Sequence, residues 1–151
     1  MTDSQVLKDR VKASRVMNAV AAGTTDQNGT GVNMAGFDGV MFIALFGALT
    51  ATQVTSLKAQ QSDDDGSTDA YSDLADSSVG PLADGDGNKC LVLDVYRPGK
   101  QYVRPTIDRG TANAVIDGVI ALQYSGRSIP IDQAASIAFA EALVTPDEGT
   151  A

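Results

Sequence analysis

The chain has no histidine, no tryptophan, a single cysteine and only 5% aromatic residues in its 151. Histidine is the commonest general base and the usual activator of a cysteine or serine nucleophile. With none present, and no serine and lysine motif in its place, the sequence speaks against an enzyme. The shortage of aromatic rings argues against a carbohydrate-binding platform, which relies on exposed rings. One cysteine excludes an intrachain disulfide and gives no support for a disulfide-stapled secreted scaffold. Cys90, opening the run CLVLDV, reads as a free thiol and a small buried hydrophobe. Positive charge is also scarce: 11 Lys and Arg stand against 19 Asp and Glu, a net charge of -8. A nucleic-acid partner needs a basic footprint, so none is expected. An acidic surface discourages sticking to DNA or membranes and suits an abundant structural component. No stretch reaches the roughly 18 continuous apolar residues of a spanning helix. The longest apolar run, Val40 to Leu49, is strand-sized and interrupted by Gly47. The opening MTDSQVLKDRVK mixes charges of both signs and has no apolar signal-peptide core, so folding in a cytoplasm is expected.

A chain of 151 residues fits one domain that buries about 70% of its unfolded surface. Its segments read as strands. Residues 90 to 124, CLVLDVYRPGKQYVRPTIDRGTANAVIDGVIALQY, give three strands separated by two short turns, a β-meander. Arg97-Pro98-Gly99-Lys100 is the first turn, with proline setting the corner and Gly99 taking the left-handed position. Pro105 marks a sheet edge, a bulge or an end to pairing. In the last strand Ile116, Gly118, Ile120, Leu122 and Tyr124 share one face, with Asp117 and Gln123 on the other. GVMFIALFGALT (39 to 50) has apolar residues at both parities, as a strand covered on both faces does. Leu57 and Ala59 alternate with Lys58 and Gln60 in the next strand. Arg15 to Ala22 reads as the first strand, and TTDQNGTG as a turn.

Residues 1 to 14 form an N-terminal arm or short helix with Val6, Leu7 and Val11 as its apolar positions. Residues 15 to 145 make the body and 146 to 151 an exposed tail. Between 62 and 89 lies a partly ordered acidic surface loop, with Tyr71, Leu74, Val79 and Leu82 able to dock it. Residues 131 to 144 suit either a strand and a helix capped by Asp132, or a strand closing a sheet.

Asp84, Asp86 and Asn88 place oxygen donors at alternate positions, the opening of a calcium loop. The pattern then fails, with Lys89 where the loop needs glycine and Val95 where it needs glutamate. Asp-Gly steps are also hairpin turns, so a turn without metal is expected, and no cofactor. Tyr96, Arg97, Tyr102 and Arg104 offer two aromatic and guanidinium pairs near the RPGK turn, a contact patch or simply strand-edge residues covering the core. Asp38, Asp94, Asp108 and Asp117 are the carboxylates open to pairing.

The order AVAAGTTD, MAGFDGVMFIALFGALT, LKAQQSDD, LVLDVYRPGKQYVRP, NAVIDGVIALQYSGR and a proline resembles a family of small structural proteins of tailed bacteriophages. The resemblance spans most of the chain and carries no active-site residues. It implies an all-β, antiparallel, jelly-roll-like sandwich serving as a capsid decoration or cement protein on the virion exterior. The implied partners are the major capsid protein and further copies of the chain, as a homotrimer. Val6, Leu7 and Val11 in the arm, then Tyr96, Arg97 and Tyr102, are the expected contacts. A head-tail connector or tail component, and a carbohydrate-binding sandwich module, are the alternatives.

Overall fold

Apolar side chains at every second position of the long strands point into one shared interior, and that alternation dictates two facing sheets. The computed structural model describes residues 5–150. A single helical turn, Leu7–Arg10 (α1), precedes the strands Lys12–Met17 (β1), Val20–Gly23 (β2), Gln27–Asn28 (β3), Val32–Asn33 (β4) and Gly39–Leu49 (β5). Val54–Ser62 (β6), Ser72–Asp73 (β7), Cys90–Tyr96 (β8), Tyr102–Gly110 (β9) and Ala114–Tyr124 (β10) complete them. Sheet A has the order β1-β10-β5-β8, with β2 also on β10; sheet B has the order β3-β9-β6-β7, with β4 also on β9. All pairings are antiparallel. If β1 with β2, and β3 with β4, are each taken as one interrupted strand, eight strands wind as the double Greek key of a jelly roll. The expected all-β sandwich is therefore the fold.

The meander is corrected. β8, β9 and β10 are strands where expected, but none pairs with the next: β8 and β10 flank β5 in sheet A, while β9 lies between β3 and β6 in sheet B. The turns between them cross the sandwich instead of folding back in one sheet. In the first of these, Arg97 rather than Gly99 takes the left-handed conformation, at φ 52°. Pro105 sits in the interior of sheet B, paired with Ala59 on β6. On its other side the ladder is broken between Asn28 and Val32, opposite the position where proline lacks an N–H.

Val40, Phe42, Ala44 and Phe46 of β5, with Leu57, Ala59, Val103, Ile107, Ile116 and Val119, form the core. β10 does not keep one face inward. Its register against β5 shifts between Ile116 and Gly118, and Gly118 takes φ 140° with the Met17 carbonyl close behind it. A bulge of this kind reverses strand parity. Ile116 is inward before it, and Val119, Ala121 and Gln123 are inward after it, leaving Ile120 outside. Gln123, expected outside, is buried and donates to the Asn33 carbonyl.

The two sheets are stapled by Arg109 of β9, which is only 6% exposed. Its guanidinium donates to the carbonyls of Thr25 (2.8 Å), Ala21 (3.0 Å) and Ala114 (2.7 Å), thereby tying β2 and β10 of sheet A to β9 of sheet B.

The segment after β10 is neither strand nor helix. It runs along the β1 edge and closes it with side chains. Gln133 Oε1 accepts from the Ala13 N–H (2.7 Å) and Ser136 Oγ from the Arg15 N–H (2.9 Å). The Gln133 amide donates to the Lys8 and Val11 carbonyls, and Ile131 N–H donates to Asp9, so α1 is held in the same place. This also moves the arm boundary, because the β1 ladder begins at Lys12, inside the stretch read as arm. The opposite edge strand, β8, pairs with β5 alone.

The acidic loop is ordered by its own carboxylates. Asp64 accepts from the Thr68 and Asp69 N–H groups, Asp69 accepts from Asp63 N–H and Lys100, and Ser62 Oγ donates to the Asp69 carbonyl. Those partners hold the Asp64 and Asp69 carboxyls below the usual range. Val79 bridges to Leu57, Leu74 packs on the core and Leu82 is buried in it.

Candidate contact surface

The parity that buries Val40, Phe42 and Ala44 turns Met41, Ile43 and Leu45 to the outer face of sheet A. Cross-strand registry then aligns Val92, Ile43 and Ile120 in one rung, with Arg15 at its β1 end. Val92 is 49% exposed and Ile120 37%. A sheet face turned to water would normally alternate to polar residues here. This one is apolar across three strands.

Where the expected residues fall is clear. Leu91, Leu93 and Val95 of β8 face the core, so the opposite parity, Cys90, Val92, Asp94 and Tyr96, faces out. Cys90 is therefore exposed and not the buried hydrophobe its neighbours suggested. The Tyr96 ring lies parallel to Tyr124 with centroids 6.5 Å apart, and Arg97 sits over Tyr96 at 5.1 Å. Tyr124 covers Gly39, where any side chain would collide with its ring. Sequence spacing grouped Tyr102 and Arg104 with this pair, but they belong to sheet B, where Arg104 lies 4.1 Å over Tyr71. The patch thus divides in two, and its second aromatic partners, Tyr124 and Tyr71, were missed because they are distant in sequence. Of the arm residues, Leu7 is 72% exposed, Val6 is also exposed and Val11 is partly covered beside β1.

The Tyr124 hydroxyl donates to Asp94 at 2.5 Å. Burial first, and then that carboxylate, push its phenol up to about 12. Because the folded chain favours the protonated phenol, this contribution is complete below the ordinary tyrosine pKa of about 10 and is lost as pH rises from there towards about 12. An ultraviolet difference titration of the wild type should contain a late phenolate step that Tyr124→Phe removes. An unchanged titration in that variant would refute the assignment.

Asp84, Asp86 and Asn88 do not converge. Asp84 accepts from the Thr52 N–H, Asp86 accepts from Ala83 N–H and pairs with Lys89 at 2.9 Å, and Asn88 takes a left-handed turn position at φ 62°. Among the described residues no three acidic, cysteine or histidine side chains gather as a metal site. Asp38 pairs with Arg127, Asp108 with Lys58 and Asp94 with Tyr124, each engaged separately. Asp117 is exposed at the β10 bulge. An open cleft of about 530 Å³ beneath the RPGK turn is lined by Arg97, Lys100 and Arg127. Its cations are already engaged, by Tyr96, Asp69 and Asp38 respectively. The apolar outer face of sheet A is left without a partner among the described residues.

No family model matches the chain, and no curated protein matches it.

Proposed function

We propose that the chain is a structural virion protein of a tailed bacteriophage that binds the major capsid protein and stabilises the shell as a decoration, or cement, protein. The observation that supports it most is the apolar outer face of sheet A on a chain of net charge -8. An acidic surface keeps many copies soluble, and an apolar patch provides contact area where they must dock. The order of strand and turn motifs agrees with this role. Homotrimers around three-fold positions on the shell exterior are the proposed assembly, with exposed Val6 and Leu7 and the Tyr96 and Arg97 pair as further contacts. Removing residues 1 to 14 would also remove the start of β1, so Val6→Asp with Leu7→Asp is the cleaner probe of the arm.

The parallel Tyr96 and Tyr124 rings are the feature that favours the carbohydrate-binding alternative. The Tyr124 hydroxyl is already committed to Asp94, which leaves that platform one free polar edge fewer.

Copy number decides the role. Quantitative mass spectrometry on gradient-purified particles is expected to find one chain per one or a few shell subunits. A handful per particle would replace cement with a connector or tail component, and absence from particles would overturn the virion role.

A further inference from the structure

Beyond the strands, the chain carries a second unpartnered apolar element. Residues 137 to 144, IAFAEALV, leave the β1 edge just after Ser136 has bonded to Arg15. Ile137 is the last of them to touch the body, sharing a small cleft with Leu45, Gly118 and Ile120 on the outer face of sheet A. Beyond it the side chains are uncovered: Phe139 is 97% exposed, Leu143 72% and Val144 89%. Among the described residues, no hydrogen bond ties residues 138 to 144 to the sandwich. Exposed apolar side chains of this size gathered within six residues are rare on a chain that has nothing to cover them.

We infer that residues 138–144 of one copy dock on the outer face of sheet A of another copy, so that the chain assembles with itself by exchanging this segment. The two surfaces match in chemistry. The face is apolar through Met41, Ile43, Val92, Ile120 and Leu122, and the segment offers Phe139 and Leu143, with Glu141 between them, along one side when extended. The face carries Arg15 and, at the β10 bulge, Asp117, so an acidic side chain docking there meets one attractive and one repulsive charge. Glu141 is the only charged residue in the segment, and Arg15 stands at the end of the Ile120 rung. Their lengths agree as well. Seven steps beyond Ile137 reach at most about 25 Å, and four strands at about 4.8 Å spacing make a face about 15 Å across. Ile137 roots the segment beside β10 and β5 of its own face, while Phe139, Leu143 and Val144 stay uncovered and open to a neighbour. Exchange of the segment in both directions between two copies makes a two-fold pair, and passing it one way around makes a small ring.

This assembly and the shell role draw on the same outer face of sheet A, and they are separated by reading self-association on the free chain and shell binding on particles. The test uses the full chain in sedimentation velocity at high micromolar concentration. The wild type should sediment as a discrete oligomer, and Phe139→Asp with Leu143→Asp should sediment as a monomer with an unchanged melting temperature, both positions being outside the core. A photo-crosslinking phenylalanine analogue at position 139, in a mixture of isotopically heavy and light chains, should join peptides of β5, β8 or β10 between copies. A monomeric wild type, an oligomer that survives the double substitution, or crosslinks confined to one chain or to another surface would each overturn the inference. A monomer that still coats particles would overturn it while leaving the decoration role intact.

Discussion

Replacing Arg109 by alanine should lower the unfolding free energy by about 3–5 kcal/mol, the range for breaking a buried charged network, more than any exposed charge could cost. The guanidinium makes three hydrogen bonds to carbonyls from three different segments, Thr25, Ala21 and Ala114. A hydrogen bond to a charged group contributes about 1.5–3 kcal/mol, and losing the donor leaves buried acceptors without partners. The bond from Arg109 N–H to Asp26 would persist, because it is made by the backbone. Arg109→Lys should recover only part of the loss, since an ammonium is a point charge and cannot reproduce the planar fork. Urea unfolding of the two variants measures both effects. A loss below about 1 kcal/mol for the alanine variant would show that the staple contributes little beyond a surface arginine.

Neighbouring residues on β5 should behave in opposite ways. Phe42 is fully buried between the sheets, and Phe42→Ala should cost about 3–5 kcal/mol through lost transfer energy and the cavity left behind. Ile43, one residue on, points to the outer face between Val92 and Ile120, and Ile43→Ala should cost about 1 kcal/mol or less. Its effect belongs instead to self-association, where that rung is covered. Equal destabilisation by the two changes, read from the same urea curves, would mean that the outer face is already covered within one chain.

The strands were legible wherever periodicity was strong. GVMFIALFGALT, by contrast, shows no alternation in sequence, and its length and flanking glycines gave the strand; which parity is buried, that of Val40, Phe42, Ala44 and Phe46, emerged only from the packing. Pairing was less legible. RPGK announces a turn, but turn chemistry does not say whether the chain returns in its own sheet or crosses to the other, and the meander failed there. Parity along β10 was lost at Gly118, whose positive φ is invisible in a run that reads as ordinary alternation. Residues 131 to 144 carry apolar positions at both periods and adopt neither, because the hydrogen bonds that place them come from the Gln133 and Ser136 side chains rather than from a ladder. Of the contact surface, Tyr96 and Arg97 could be found locally. Tyr124, Ile43 and Ile120 join them only through register, and nothing around Arg109 in TIDRGT marks it as a staple between sheets.

The two sides of sheet A also set a limit on growth. Gln133 and Ser136 occupy two N–H groups of β1, those of Ala13 and Arg15, and Arg109 takes a carbonyl of β2, whereas β8 has a ladder on one side only. In the arithmetic of polymers, a unit must have two reactive ends to make a chain, and sheet A has one. Joining through β8 uses up that end and stops at a pair, so a fibre built by edge addition to this sheet terminates at its first step.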